Sequence, residues 1–513
     1  MAVSHPGEGA GAALKRKLML VVACAAAILA YQLFIPPIVG LADQGDFIRT
    51  IGRFGYGPQH HGSLEYKYVE RKYIPDPHYR APYWEQANSE YLFAGAALLL
   101  NQLLSKDGAL DITVMGLVHA LAFLAVFARL LWVARRHRAW ALLWIAALVA
   151  LTDAGYAVYW NSFYAEPASA MFFLLLLAET VEIGRAGEAS AASMLRWSIW
   201  AILWVLAKPQ NTPIGLLLGL FSFRLASWAP ALRTRLIAVA CGCALFLCAV
   251  YNIVAMPKVG HMANTYGMVF SGILPESKDP AEDLRALGLD PSLAKYSGTG
   301  AWSPVTDFPR LAESGVLESN ITTFTILRFY ITRPARLWRR LHGVLPQISR
   351  LRPDYGNFEP SAGLPPKAIS RAFTLWSYFH ARVLPVFNKW IVFALAGWPI
   401  FAAWTWLREP NGLRRKRLEL VTLLPVCCLA ALFGAVFGDA FDLIKHMFLF
   451  NLLLDVCLVW VTAAGVGRLL NGSWRPPQSR RAWYGRWLSR KSPRHGADLL
   501  EPGAPAAAHP RPD

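Results

Sequence analysis

The sequence predicts an all-α polytopic membrane protein that crosses a bilayer about ten times, with both termini on the cytoplasmic side. Two observations carry this prediction. Of the 513 residues, 55% are hydrophobic and only 16% are charged, and the mean hydropathy is +0.33, which is too apolar for a soluble domain of this length. Several apolar runs also approach the roughly 20 residues that a helix needs to cross a hydrocarbon core about 30 Å thick.

The placement of basic residues predicts the orientation. The formal net charge is +18, and much of the Lys and Arg lies in short segments between apolar runs and in the C-terminal tail, as the positive-inside rule requires. The run from Trp474 to His495 mixes arginine with aromatic residues, which suits a segment on an anionic leaflet. We therefore expect membrane lipids, and no nucleic acid, as partners of these charges.

The apolar runs also predict the domain organisation. Residues 1–17 form a cytoplasmic N-terminus, followed by a first span, Leu18 to Gly40, that is long enough to be an uncleaved anchor. Residues 18–466 form the transmembrane domain, with outer loops at 41–111 and 257–388. Residues 467–513 form a basic cytoplasmic tail whose Pro- and Ala-rich end, from Gly496, is expected to be disordered. The later spans are predicted at 112–133, 140–160, 168–183, two short helices within 197–223, 236–256, 390–406, 419–437 and 444–466.

The segment around Pro209 decides the topology. Lys208 to Pro213 interrupts two apolar pieces that are each short for a span. A single broken helix would invert every later segment and place the basic cluster Arg414 to Arg417 outside, against the positive-inside rule. We therefore predict two short helices joined by an outward turn.

The outer loops are predicted to carry short helices of their own. Glu90 to Leu104 is apolar but short, and Asn320 to Arg340 alternates apolar and basic faces, so both are predicted to lie at the membrane interface. Pro334 should kink the second of these or end its first half. The run from Asp279 to Glu282 combines an N-cap residue, a proline and a capping-box acid, which predicts a helix start.

Candidate site residues gather on the predicted outer face, directly after the spans. Asp43 and Asp46 follow the first span and share a face if its helix continues, and Glu166 follows the third. Solvated helix ends, or a salt bridge such as Asp442 to Lys445, explain these charges equally well. The candidates for binding an anionic substrate are Arg49, Lys208, Asn211, Lys445 and His446, with His60, His61 and His261 in the outer loops.

Carboxylates and cations at one membrane level are the groups that sugar transfer from a lipid phosphate requires. A sugar linked to polyprenyl phosphate already has a good leaving group, so the site needs cations for the departing phosphate. It also needs one carboxylate to take the proton of the acceptor hydroxyl. Asp46 or Asp43 is the expected base. The residues expected to bind the departing phosphate are Lys208, Arg49, Lys445 or His446.

Two acidic residues inside predicted spans support a rival hypothesis. Asp153 and Asp455 lie at membrane depth, where ionisable groups often mark transport pathways. Neither has a clear basic partner in the sequence, so a hydrogen-bonded structural role is the stronger expectation. A flippase or other transporter of lipid-linked sugars nevertheless remains an alternative.

Four motifs resemble a known family: GDFIR at 45–49, FYAEP at 163–167, GILPESKDPAEDLRALGLDP at 272–291 and GDAFDLIKHMFLFNLLLD at 438–455. Together they are similar to the bacterial glycan-biosynthesis hexose transferases labelled WsfD, among the GT-C membrane glycosyltransferases. The resemblance runs from the first span to the last and implies a GT-C-like bundle with an outward-facing active site.

The resemblance also implies residue roles. An acidic residue of the first outer loop acts as the base, which falls on Asp46 and less securely on Asp43, and Glu166 matches the acidic position after the third span. The donor substrate is a polyprenyl-phosphate sugar. Relatives that use pyrophosphate donors need a divalent metal ion. Because this sequence has no dense acidic cluster, we expect no metal and no cofactor. The chain lacks the large soluble outer domain of some members, which leaves acceptor recognition open.

The functional hypothesis is therefore a hexosyltransferase of the bacterial inner membrane. It moves a sugar from a lipid-linked donor to a cell-envelope glycan or lipid acceptor on the outer face. The alternatives are the flippase and a glycan ligase or polymerase that would consume a pyrophosphate-linked oligosaccharide.

Overall fold

A computed structural model describes residues 6–80, 86–137, 139–315, 317, 321–438, 440 and 442–470. These residues are mostly helical, and the predicted all-α polytopic membrane fold is confirmed. The chain divides into two units, Met1–Ala463 and Ala464–Asp513, and the second is described only as far as Leu470, where it is helical. Asp439, Arg138 and the predicted tail beyond residue 470 lie outside the described residues.

The described helices run in the following order. They are α1 (Pro6–Phe34), α2 (Tyr91–Leu104), α3 (Ile112–Ala134), α4 (Trp140–Leu151), α5 (Ala154–Ala157), α6 (Glu166–Ala186), α7 (Ala191–Ala207), α8 (Thr212–Ala226), α9 (Leu232–Val254), α10 (Lys258–Tyr266), α11 (Pro280–Ala286), α12 (Phe308–Glu313), α13 (Thr323–Ile331), α14 (Pro334–Val344), α15 (Leu375–Arg382), α16 (Leu384–Arg408), α17 (Gly412–Gly438), α18 (Leu443–His446) and α19 (Phe448–Leu470).

Seven of these helices are long and apolar enough to cross a membrane, within the part of the chain that the structure describes. They are α1, α3, α6, α9, α16, α17 and α19. The other three predicted spans correspond to α4, α7 and α8, with 12, 17 and 15 residues. At 1.5 Å per residue these helices are between about 18 and 26 Å long, which is less than the hydrocarbon core of about 30 Å. Whether α4, α7 and α8 each cross the membrane, and hence the total of ten crossings, stays a prediction.

The predicted span 140–160 is not one helix. The helix α4 ends at Leu151, and Asp153 begins the short helix α5 by accepting a hydrogen bond from the backbone N–H of Gly155 at 2.7 Å. The same carboxylate accepts the backbone N–H groups of Trp376 and Ser377 at 2.8 and 3.0 Å. The prediction was wrong here because Asp153 forms these N-cap and long-range bonds instead of continuing the helix.

The interpretation of the Pro209 region as two helices is confirmed. The helix α7 ends at Ala207, the 3₁₀ turn Pro209–Asn211 follows, and α8 begins at Thr212. Proline at the start of the turn and at the second position of α8 needs no backbone N–H there, which suits helix starts. Both helices pack against α9.

The first predicted span ends earlier than expected. The helix α1 stops at Phe34 and is followed by Pro36 and Pro37, which cannot donate backbone hydrogen bonds. The chain then forms a small sheet that the sequence analysis did not predict, with strands β1 (Tyr56–Pro58), β2 (Lys72–Pro75) and β3 (Leu110–Asp111). The strands pair antiparallel in the order β1-β2-β3, with Gly57 opposite Ile74 and Tyr73 opposite Leu110.

The second predicted outer segment contains the short helices α10 to α15 and a smaller hydrophobic cluster of its own around Tyr266 and Phe270. The predicted helix start at Asp279 is confirmed, because its side chain accepts the backbone N–H of Glu282 at 3.0 Å. The predicted helix at 320–340 is two helices, α13 and α14, and Pro334 begins the second.

Charged side chains are sorted between the two ends of the bundle. The start of α17 carries the basic cluster, where Lys416 donates to the carbonyl oxygen of Gly187 at 2.8 Å. The other end of α17 leads to Asp442 and Lys445, which meet the loop after α1. Because α17 has 27 residues, about 40 Å separates these ends. The end that holds residues 43–49, 166, 208 and 442–446 is called the polar end below.

This sorting predicts opposite accessibility for two exposed positions, Gln59 on the side of the polar end and Asn411 beside the basic cluster. In a chain whose seven native cysteines are replaced, Gln59→Cys and Asn411→Cys should react with a membrane-impermeant maleimide from opposite sides of sealed vesicles. The reason is that a helix of membrane-spanning length separates the two ends. Labelling of both cysteines from the same side would contradict the arrangement.

Candidate functional site

The polar end is organised around the ammonium group of Lys445. This side chain is only 2% exposed, and its Nζ atom forms ion pairs with Asp46 Oδ2 at 2.5 Å and Asp442 Oδ2 at 3.6 Å. It also lies over the ring of Tyr164, 5.3 Å from the centroid. A buried charge is tolerated only when it is paired. The pair therefore ties the loop after α1 to the short helix α18, 399 residues later in the chain.

Asp46 is held between two cations. Its Oδ1 atom accepts Nη2 of Arg49 at 2.9 Å, while Oδ2 faces Lys445. Burial alone would raise the pKa of Asp46, but Arg49, Lys445 and Lys208 outweigh it and hold the pKa well below its usual value. Burial alone would likewise lower the pKa of Lys445, but Asp46 and Asp442 raise it. Both groups are therefore charged at neutral pH, and Asp46 is a weak base in this state.

A second buried ion pair joins Glu166 and Lys208. The Nζ atom of Lys208 lies 2.6 Å from Glu166 Oε1, and the glutamate side chain is 3% exposed. Glu166 is the first residue of α6, where a negative charge suits the helix dipole, and Lys208 follows the last residue of α7. Lys208, which lies in the predicted outward turn, thus has a carboxylate partner.

The Glu166–Lys208 pair and the Asp46–Arg49 pair line one cleft, called the ion-pair cleft below. It holds about 480 Å³ of space, open solvent included. Asp46, Arg49, Glu166 and Lys208 all line it, so four of the predicted site residues are brought together. The aromatic side chains of Tyr91, Phe163 and Tyr164 and the segment 86–88 complete its walls.

Two buried residues that the sequence analysis did not select hold one wall of this cleft. Glu90 Oε2 accepts the backbone N–H of Ala168 near the start of α6, and Glu90 Oε1 lies 2.6 Å from His119 Nε2. His119 Nδ1 in turn lies 2.7 Å from the carbonyl oxygen of Trp160. This chain of bonds orients the helix that begins with Glu166. The available signal was a histidine, His119, inside a predicted span.

Asp43 faces away from the ion-pair cleft. Because α1 ends at Phe34, the helix does not continue to Asp43 and Asp46, and the condition under which they would share a helical face is not met. Asp43 lies in a turn in which its Oδ1 atom accepts the backbone N–H groups of Gly45 at 2.8 Å and Phe47 at 3.1 Å. Burial raises the pKa of Asp43 to about 7, although these two hydrogen bonds oppose the shift.

The remaining candidates lie outside the walls of the ion-pair cleft. Asn211 is buried and donates to Trp204 O at 2.7 Å and Ser169 Oγ at 3.2 Å, so it stabilises the turn between α7 and α8. His446 Nδ1 lies 3.2 Å from Gln210 Oε1, which links α18 to the same turn.

The three loop histidines are also placed elsewhere. His60 Nδ1 lies 2.9 Å from Glu70 Oε2. His61 is exposed in the turn that follows β1. His261 is exposed on α10, and its Nε2 atom lies 3.1 Å from the carbonyl oxygen of Ile253.

The carboxylates that motivated the transport hypothesis are hydrogen-bonded within the protein. Asp455 Oδ1 lies 2.6 Å from Nε2 of His380, which the sequence analysis did not select. Asp455 Oδ2 accepts Tyr156 Oη at 2.6 Å and Trp376 Nε1 at 2.7 Å. Together with the bonds of Asp153 described above, these contacts join α5, α15 and α19. They favour a structural role for both aspartates.

No three side chains of His, Cys, Asp or Glu come together as a metal site in the described part of the chain. Three carboxylates of the polar end, those of Asp46, Glu166 and Asp442, are instead paired with Arg, Lys or tyrosine groups. Asp442, for example, accepts the hydroxyl of Tyr355 at 2.5 Å.

Comparison with known proteins gives one match along most of the chain. A family model described as the YfdI N-terminal transmembrane domain matches residues 10–475. This description differs from that of the hexose transferases which the sequence motifs resemble. No curated protein sequence matches the chain.

Three solved structures align with the chain at low identity. One is the oligosaccharyltransferase AglB of Archaeoglobus fulgidus in complex with an inhibitory peptide and a dolichol-phosphate, with 14% sequence identity, a TM-score of 0.36 and 93% of this chain covered. Another is an apo form of the Archaeoglobus fulgidus oligosaccharyltransferase, with 13% identity, a TM-score of 0.37 and 92% of this chain covered. The chain spans about half of each, 54%. The third is ArnT from Cupriavidus metallidurans bound to undecaprenyl phosphate. Its sequence identity is 13% and its TM-score is 0.29, and the alignment covers 92% of this chain and 82% of ArnT. These superpositions are too loose to match individual residues.

The buried pairing of Lys445 predicts a specific coupling in stability. Lys445→Met should destabilise the protein by about 3 kcal/mol or more, because it takes the buried ammonium group away from two carboxylates, Asp46 and Asp442, and leaves Asp46 only the partly exposed Arg49. Adding Asp46→Asn should cost less than the sum of the two single effects, with a coupling of at least about 1 kcal/mol in denaturant unfolding of the purified protein. The exposed pair Lys72 and Asp107, 3.8 Å apart, is the matched control and should show little coupling. Additive effects at Lys445 and Asp46 would refute this account.

Proposed function

The chain belongs to the family of the YfdI N-terminal transmembrane domain, and we propose that this member is a membrane glycosyltransferase of the GT-C type. It transfers a sugar from a polyprenyl-phosphate donor to a cell-envelope glycan or lipid. The observation that carries the proposal is the ion-pair cleft, where Arg49 and Lys208 meet Asp46 and Glu166 at the end of an apolar helix bundle. A donor with a polyprenyl tail and a phosphate head requires this combination of lipid-facing helices and cations.

The cations of the cleft would hold the phosphate of the donor. A guanidinium and an ammonium group line the cleft, and a second ammonium group, that of Lys445, lies behind Asp46. When the bond between the sugar and the phosphate breaks, negative charge grows on the phosphate oxygens. Arg and Lys donors fixed beside those oxygens stabilise this charge in a site shielded from water.

The carboxylates that line the cleft would orient these cations. Asp46 contacts Arg49 and Lys445, and Glu166 contacts Lys208, so each cation is held in place before the donor arrives. Fixed donors need no rearrangement as charge develops, which is the physical basis of electrostatic catalysis. The pairing also keeps the cleft close to neutral and avoids the cost of buried, unpaired charges.

The location follows from the orientation predicted from the basic segments. With the cluster at Arg414 to Arg417 cytoplasmic, the polar end lies on the outer face of a bacterial inner membrane. A hexose is the proposed sugar, on the resemblance of the four motifs, and an aspartate of the first outer loop takes the proton of the acceptor. The proposal invokes no metal ion, because Lys and Arg supply the positive charge.

Substitutions in the ion-pair cleft should strongly slow transfer. We expect Asp46→Asn and Lys208→Met each to lower the rate by about 100-fold or more, since each removes or misplaces a charged group at the phosphate. The assay uses purified protein in lipid vesicles with a panel of polyprenyl-phosphate hexoses, and it measures new glycosidic bonds by mass spectrometry.

The matched controls are Asp107→Asn and Lys72→Met, which alter an exposed pair of the same chemistry and should keep the wild-type rate. Full activity in both cleft variants would overturn the proposal. Movement of the donor across the vesicle membrane without bond formation would identify a carrier instead, and consumption of a pyrophosphate-linked oligosaccharide would identify a ligase or polymerase.

A further inference from the structure

Residues 89–91, called the connector below, lie at the start of α2 and bond to the segments that supply charges to the ion-pair cleft. Ser89 donates its backbone N–H to the carbonyl oxygen of Leu206 at 3.3 Å. Leu206 is part of α7 and lies two residues before Lys208. This bond therefore fixes the connector to the helix whose end leads to Lys208.

Glu90, the second connector residue, caps the helix that begins with Glu166. Its Oε2 atom accepts the backbone N–H of Ala168, the third residue of α6, at 3.0 Å. The N-cap position of α6 is Ala165, whose side chain has no acceptor for the free N–H groups of a helix start. A residue 78 positions earlier than Ala168 therefore supplies the cap, and the position of Glu166 depends on it.

Tyr91, the third connector residue, bonds to the segment that carries Arg49. Its hydroxyl oxygen lies 3.0 Å from the carbonyl oxygen of Arg49 and 3.2 Å from that of Gln86. One hydroxyl hydrogen is available, so the two carbonyl oxygens share it. The connector thus ties the backbone of Arg49 to the segments of Glu166 and Lys208 through three adjacent residues.

His119 of α3 fixes the carboxylate of Glu90. Neither side chain has exposed surface, and His119 Nε2 lies 2.6 Å from Glu90 Oε1. His119 Nδ1 lies 2.7 Å from the carbonyl oxygen of Trp160, and because a carbonyl oxygen only accepts, Nδ1 carries a hydrogen. An unprotonated Nε2 and a carboxylate oxygen are both acceptors, so the contact between them holds one further proton. The pair is therefore neutral overall, as burial away from water requires.

The connector is itself held in place. The backbone N–H of Glu90 donates to Asn88 Oδ1 at 2.8 Å, and Gln86 Nε2 donates to the carbonyl oxygen of Asn252 in α9 at 2.7 Å. The helix α2 that follows packs against α3. A segment with these contacts on both sides has little freedom to move, so it can act as a spacer.

We propose that the connector sets the spacing of Arg49 and Lys208, the two cations that line the ion-pair cleft, and that Glu90 and Tyr91 are its positioning residues. His119 acts through Glu90. This inference rests on the proposed function and extends its site to groups behind the cleft. Glu90 and His119 have no surface from which to reach a substrate, so they act only through the residues that they hold.

The spacing matters because one donor phosphate must contact both cations at the same time. Asp46 and Glu166 hold the ends of the two side chains, whereas the connector holds the backbone segments to which those side chains belong. Long Arg and Lys side chains lose much rotamer freedom when they are ordered, so a site prepared at both levels binds more tightly. A misplacement of about 1 Å can lower an enzymatic rate by about 100-fold.

Loss of the cap should weaken binding of the donor, and an amide in its place should restore it. Glu90→Leu should raise the Kd of undecaprenyl phosphate about tenfold and lower kcat/KM for an undecaprenyl-phosphate hexose about 100-fold. Glu90→Gln should recover both values to within about threefold of wild type, because its amide oxygen accepts the N–H of Ala168 while its amide NH₂ donates to His119 Nε2. The Kd is measured by titration of the purified protein, and transfer is measured in lipid vesicles with an envelope lipid extract as acceptor.

The matched control is Glu179→Leu, which removes another buried carboxylate of α6, one that is paired with Arg129 and Arg196 at the basic end. This variant should lose stability but keep the wild-type Kd of undecaprenyl phosphate. Tyr91→Phe decides the question if Glu90→Leu does not fold, because it removes only a hydroxyl from a partly exposed side chain. It should raise the same Kd about three- to fivefold.

The outcomes separate the two proposals. A wild-type protein that neither binds undecaprenyl phosphate nor transfers a hexose overturns the proposed function, and this inference with it. Transfer by the wild type, with a wild-type Kd in Glu90→Leu and Tyr91→Phe, overturns only the role of the connector. An inactive Glu90→Gln would show that the carboxylate exchanges a proton in the reaction, and equal effects of Glu90→Leu and Glu179→Leu would show a general loss of stability. Either result refutes the positioning role.

Discussion

The ion pair between Lys445 and Asp46 is the contact on which the polar end depends. It joins two segments from opposite ends of the chain, and each charge is buried beside the other. Neither charge would be stable there alone, because removal from water costs several kcal/mol per ion. The pair therefore holds the loop after α1 against the entrance to α19, and Arg49 and the ion-pair cleft take their positions from it.

The membrane explains why the charges are arranged in pairs. Helices that cross lipid can carry few charges along their length, so acidic and basic groups collect at helix ends. At the basic end, Glu179 is paired with Arg129 and Arg196, and at the polar end Glu166 is paired with Lys208. A phosphate that enters the polar end would exchange partners with existing ion pairs instead of meeting bare charges.

Local patterns in the sequence predicted most of the helices and their ends. The order of the basic segments indicated two helices around Pro209, because a single broken helix would have placed Arg414 to Arg417 outside. Asp279 with Pro280 indicated a helix start, because helix capping depends on adjacent residues. The same reasoning missed the break at Asp153. Hydropathy averaged over a window is insensitive to one aspartate whose partners, Trp376 and Ser377, lie more than 200 residues away. The small sheet and the buried pair of Glu90 and His119 were missed for the same reason, since long-range contacts create them.

Composition and the order of the basic segments were sufficient to predict a polytopic helical protein. They were also sufficient to place Asp43, Asp46, Glu166 and Lys208 at the same end of the predicted helices. Both depend on free energies of transfer from water to lipid, which are sums over neighbouring residues. Only the tertiary structure decided what each carboxylate does. Asp43 and Asp46 are the same residue type three positions apart, yet burial without a cation raises the pKa of one and two adjacent cations lower that of the other. One of these two cations, Lys445, lies 399 residues from Asp46 along the chain, and their proximity in space cannot be obtained from that distance.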